Sequence, residues 1–182
     1  VASGEGIELA ASLGRLDAEA THSVALDSGN GATLIQVAQS GIDQFTVVGQ
    51  SIRQDAEVAG GALSYQATDN IVINQAARAE RTLVINSSAG DVQAQADLTA
   101  NENITLAANG SVLADARVAA GQTLTITSTN GAVQAAGELS AGQDLVIAAG
   151  SNAELDALIS VAQTFDLVAT EAVRIGGQTD VQ

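Results

Sequence analysis

The chain has 182 residues, a formal net charge of −15, 46% apolar and only 2% aromatic residues, and no Cys, Pro, Met or Trp. Without Cys there is no disulfide framework and no Cys-ligated zinc or iron–sulfur site, and the apolar content is too high for a disordered acidic chain. No apolar run reaches the ~18 residues of a membrane span, and a chain this acidic is repelled by phosphate backbones and anionic lipid, so neither membrane insertion nor nucleic-acid binding is expected.

The first residue is Val and no secretory h-region follows, so the chain reads as a segment of something longer, with any targeting signal outside it. Short apolar–x–apolar triplets then begin: Ile7-Glu8-Leu9, Val24-Ala25-Leu26, Phe45-Thr46-Val47 and Leu63-Ser64-Tyr65. Their first residues lie 17, 21 and 18 apart. Leu34-Ile35-Gln36-Val37 and Ile71-Val72-Ile73 are candidate second strands of these units.

From Leu83 onward the pattern becomes regular. Leu83-Val84-Ile85, Ile104-Thr105-Leu106, Leu124-Thr125-Ile126, Leu145-Val146-Ile147 and Phe165-Asp166-Leu167 are spaced 21, 20, 21 and 20 apart. The outer positions are always large and apolar while the middle one varies, which is period-2 alternation with one buried face. A second run follows in each unit, as in Val92-Gln93-Ala94, Val112-Leu113-Ala114 and Val133-Gln134-Ala135. Before these runs stand the turns Ala89-Gly90-Asp91, Asn109-Gly110-Ser111 and Asn130-Gly131-Ala132, where Asn and Gly are expected because they accept positive φ. A third apolar position comes at Leu98, Val118 and Leu139, preceded by Asp97, Arg117 and Glu138.

A core with so few aromatics must be narrow, and narrow cores occur where each repeat buries its apolar face against the next. Hairpins would not need units of constant length, whereas a coil that closes and stacks must keep its perimeter. The expected fold is therefore all-β: a right-handed parallel β-helix (β-solenoid) of about nine coils of roughly 20 residues, three short strands per coil, on the order of 40 Å long. One domain over 1–182 is expected, less regular over 1–62 and regular over 63–182. Frequent Gly and β-branched residues argue against helices, with Glu154 to Val161 left open to a short helical or irregular excursion.

The units beginning Leu124-Thr125-Ile126-Thr127-Ser128-Thr129-Asn130-Gly131 and Gly142-Gln143-Asp144-Leu145-Val146-Ile147 resemble the haemagglutinin-type repeats of filamentous-haemagglutinin-like bacterial exoproteins. The resemblance is good from about Leu83 to Ile147 and weak before Leu63. It implies a non-catalytic stalk or fibre segment of a large adhesin on the bacterial surface or in the medium, many such proteins being exported by two-partner secretion. It also implies neighbouring repeats of the parent chain as partners, and a host-cell, matrix or glycan receptor. A carbohydrate-binding or carbohydrate-active β-helix acting on an extracellular polysaccharide is the alternative.

Candidate chemistry is sparse. His22, near Asp17 and Glu19, is the only His and reads as an exposed corner residue, since a catalytic His needs an oriented partner. Asp97, Arg117 and Glu138 fall in one stacked column, read as charge pairing on a solvated face rather than as a sugar groove. Asp91, Asp115 and Asp144 share no turn position and the calcium-binding Gly-Gly-x-Gly-x-Asp nonapeptide is missing. The sequons at Asn86, Asn103 and Asn109 are ordinary corner chemistry. No catalytic, cofactor-binding or metal-ligating residue is assigned, and no cofactor is expected. Open coil faces, blunted only by charges such as Glu5, Glu8, Glu171, Arg174 and Asp180, predict end-to-end self-association.

Overall fold

The computed structural model describes residues 2–3, 6–10, 19–20, 23–35 and 39–182, with side chains over 23–35 and 43–182. Among them there is no helix. Neighbouring strands pair in parallel from coil to coil, and the ladders stack as a β-solenoid of about eight turns, which the expected right-handed parallel β-helix fits. A parallel ladder needs a long connection between partners; here the rest of each coil supplies it.

The apolar–x–apolar triplets build the first face. Register runs unbroken through Ile7, Val24, Phe45, Leu63, Leu83, Ile104, Leu124, Leu145 and Phe165. The four irregularly spaced early triplets thus occupy the same ladder as the five regular ones. These rungs bound about eight turns, one fewer than the nine coils expected, because each turn is closed only by the rung above it.

The second face stacks Thr33, Ile52, Ile71, Val92, Val112, Val133, Ala153 and Val173. The third stacks Val58, Ala77, Leu98, Val118, Leu139, Ile159 and Thr179. Alternation sends these columns inward from Val24 to Ile159, and one contiguous core runs from Val24 to Val161. Leu124 and Ile126 are fully buried between Ile104/Leu106 and Leu145/Ile147, whereas Thr125 stands outward and half-buried. Each fully buried Leu or Ile stabilises the stack by about 1.5–3 kcal/mol before its ordering cost.

Several sequence-based expectations are corrected. The early second strand spans Ala32–Ile35 rather than Leu34-Ile35-Gln36-Val37. Thr33 and Ile35 point inward while Leu34 is half-buried, because Thr33 stacks on Ile52; Gln36 and Val37 lie outside the described residues. The segment from Glu154 to Val161 makes no excursion, since Ala153–Leu155 and Ile159–Val161 are ordinary rungs. The number of strands per coil also varies. Below Leu83 the third strand of one coil continues into the first strand of the next, as in Val58–Ala67, which bends through Gly60-Gly61 without leaving the ladder.

The corner glycines have another cause than the one expected. Gly90, Gly110 and Gly131 do not adopt positive φ; among the described residues Gly29 alone does, at +56°. Their backbone instead passes very close to the coil beneath. A Cβ on Gly90 would sit 2.6 Å from the Asp69 carbonyl carbon, and one on Gly131 would sit 2.6 Å from that of Gly110. Buried serines close the same corner. Ser87 and Ser128 accept the Gly90 and Gly131 N–H at 2.9 Å and donate to the carbonyls of Asp69 and Gly110.

Candidate functional site

The coil's stacking brings Asp97, Arg117 and Glu138 together just ahead of the third face. Arg117 Nε donates to Glu138 Oε1 at 3.2 Å, and the Arg117 backbone N–H donates to Asp97 Oδ1 at 3.3 Å. The paired side chains are 46% and 37% exposed, so water screens the pair and it contributes at most about 1 kcal/mol. The column ties three coils together.

Other charges are used the same way. On the second face Arg53 Nε donates to Asp55 Oδ1 at 2.8 Å, and Asn74 Nδ2 donates to the same oxygen at 2.6 Å. The Arg53 hydrogen bond first, then that of Asn74, holds the Asp55 carboxyl below the usual carboxylate range. Higher up, Arg174 pairs with Glu154, one coil below, and with Asp156 at 3.1 Å. The hydrogen bond that Arg174 donates to Glu154 is the main reason it holds its proton more tightly than usual.

Asp91 belongs to a staircase of backbone contacts. Asn70 Oδ1 accepts the Asp91 N–H at 2.8 Å, Asp91 Oδ1 accepts the Ser111 N–H at 2.7 Å, and Ser111 Oγ accepts the Ala132 N–H at 3.2 Å. Each side-chain oxygen caps the next coil. Asp115 follows the strand Val112–Ala114 and Asp144 opens the strand Asp144–Ala149, so they stand at different corners. Among the described residues no group of three His, Cys, Asp or Glu side chains is placed to hold a metal ion. Of the sequon residues, Asn86 is exposed, while Asn103 Oδ1 accepts the Thr123 N–H and Asn109 Oδ1 accepts from Asn130. His22 and Asp17 lie outside the described residues, and of Glu19 only the backbone is described.

Two features escaped the sequence reading. The first is a polar pair inside the core. Gln54 and Tyr65 are completely buried. Tyr65 Oη donates to Gln54 Oε1 at 2.7 Å, and Gln54 Nε2 donates to the carbonyls of Gln75 and Ala76 at 3.0 and 3.1 Å. Burial pushes the Tyr65 hydroxyl pKa far up, so it stays a donor. Phe45 meets the Tyr65 ring edge-on, with centroids 6.0 Å apart. The signal was available: in Ser51-Ile52-Arg53-Gln54 the alternation sends Gln54 inward with Ile52.

The second is a groove of about 430 Å³ where the Gly60-Gly61 corner meets the outside of the third face. Asp43, Glu80, Thr99 and Asn101 line it together with Gly60, Gly61 and Ala79. Arg78 lines it between Ala59 and Thr99 and is paired with Glu57 at 3.1 Å, and Arg81 Nη2 reaches across the corner to the Asp43 carbonyl at 3.2 Å. The Gly-Gly doublet was its sequence signal.

No known family model, curated protein or solved structure matches this chain.

Proposed function

We propose that this chain is a structural stalk segment of a large bacterial surface or secreted adhesin of the filamentous-haemagglutinin-like kind, extracellular and without catalytic activity. One observation carries the reading: most of the side-chain hydrogen bonds among the described residues join one coil to the next. The Asp97–Arg117–Glu138 column, the Asn70–Asp91–Ser111 staircase and the Ser87 and Ser128 corners all bond across coils. A chain whose polar groups hold a rod together suits a spacer under load.

Partners in this reading are neighbouring coils and a cell, matrix or glycan receptor. Salt screens the net charge of −15, so light scattering across a concentration series should show self-association that grows with ionic strength.

The test of the function is the surrounding open reading frame together with antibody labelling of intact cells. Tandem repeats of the same period, a secretion domain upstream and surface labelling are expected. A chain found only in the cytoplasm would overturn the proposal.

A further inference from the structure

We propose that the groove at the Gly60-Gly61 corner is a lateral subsite for a neutral, hydroxyl-rich oligosaccharide. Its shape follows from the outward column at this corner, where Gly61 carries no side chain below the exposed Glu80 and Asn101, while Gly60 continues the buried column of Ala79 and Ala100. The groove crosses four successive coils, from Asp43 past Gly60-Gly61 and Ala79-Glu80 to Thr99-Asn101. Three steps of about 4.8 Å make it about 14 Å long, the length of a short sugar chain, and its volume falls within the range of ligand sites.

The lining decides the ligand class. Carboxylates at Asp43 and Glu80, the Asn101 amide and the Thr99 hydroxyl supply acceptors and donors at several heights, which suits rows of sugar hydroxyls. Among the described residues, Glu80, Thr99 and Asn101 take no part in the side-chain bonds that join coils. Arg78 is paired with Glu57, and Arg81 reaches over the corner to the Asp43 carbonyl, so with Asp43, Glu57 and Glu80 the corner keeps a single net negative charge and disfavours uronates, sulfated sugars and phosphates. A bare cation is a poor fit, because among the described residues no third carboxylate joins Asp43 and Glu80. A peptide adding as a strand is a poor fit too, because the strands here are already paired above and below. With Phe45 and Tyr65 buried, no aromatic platform faces the groove, so affinity is weak, with Kd in the millimolar range.

This subsite stands independently of the stalk reading. The test is a set of amide nitrogen–proton NMR spectra of the whole chain, titrated with neutral xylose, glucose and N-acetylglucosamine trisaccharides and with trigalacturonate as the charged control. At least one neutral sugar should shift the amides of Gly60, Gly61, Ala79, Glu80 and Asn101. The double variant Glu80→Ala/Asn101→Ala, both side chains being exposed, should keep the rest of the spectrum and weaken binding by about tenfold or more. No shift at millimolar sugar, shifts elsewhere, equal binding by the variant, or preference for trigalacturonate would each overturn the proposal.

Discussion

The coils from Leu83 to Leu155 and those from Val24 to Ala67 share the same ladders but are held together differently. In the upper coils the inward columns are aliphatic, every turn has 20 or 21 residues, and buried Ser87 and Ser128 close alternate corners. In the lower coils turn length varies, third and first strands fuse, and the interior holds Phe45, Tyr65 and Gln54. The comparison teaches that a solenoid tolerates uneven perimeters where larger side chains and internal hydrogen bonds fill the altered cross-section. Where the perimeter is constant, small aliphatics suffice.

The sharpest probe lies in the upper coils. Leu124→Asp puts a charge into a column that is 0% exposed and should cost about 4–5 kcal/mol in urea unfolding followed by circular dichroism. Thr125→Asp should stay within about 0.5 kcal/mol, since Asp166 already stands two coils on in that outward column. Equal losses would end the inward–outward distinction on which the regular half rests.

In the lower coils the test is Tyr65→Phe. It leaves the buried Gln54 Oε1 without the hydroxyl that reaches it at 2.7 Å, and should cost about 1–3 kcal/mol. Ile85→Val, in the same column one coil higher, should cost about 0.5–1.5 kcal/mol. A neutral Tyr65→Phe would show that the lower interior is held by packing alone, as the upper one is.

The corners give a third contrast. Gly131→Ala should cost about 1–3 kcal/mol through the collision with the coil beneath. Gly29→Ala meets nothing within 4 Å and should cost about 1–2 kcal/mol from its positive φ alone. A Gly131→Ala protein as stable as the parent would remove close approach as the reason for the upper glycines.

The smallest effect concerns pH. Asp55 is more acidic folded than unfolded, so its contribution is present above the ordinary carboxylate range and lost as pH falls through the folded value. Asp55→Asn should therefore lower the melting temperature slightly at neutral pH, and the gap to the parent should close in acid. A gap that persists in acid would mean that Asp55 acts by shape rather than by charge.

Residue spacing alone determined the stacked rungs, because a buried column one coil above another demands a large apolar residue at nearly constant intervals. Ile7, Val24, Phe45 and Leu63 were legible in this way despite their uneven spacing. The Asp97–Arg117–Glu138 column was legible too, since a stacked coil places like positions side by side. Tertiary structure alone decided the rest. The inward frame of Ala32–Ile35 depended on Thr33 meeting Ile52, and the role of the corner glycines on how close the coil beneath passes. The groove at Gly60-Gly61 depended on four coils meeting at one corner. Period and alternation report which face a residue takes, whereas the distance between two coils at a corner is set only when both have closed.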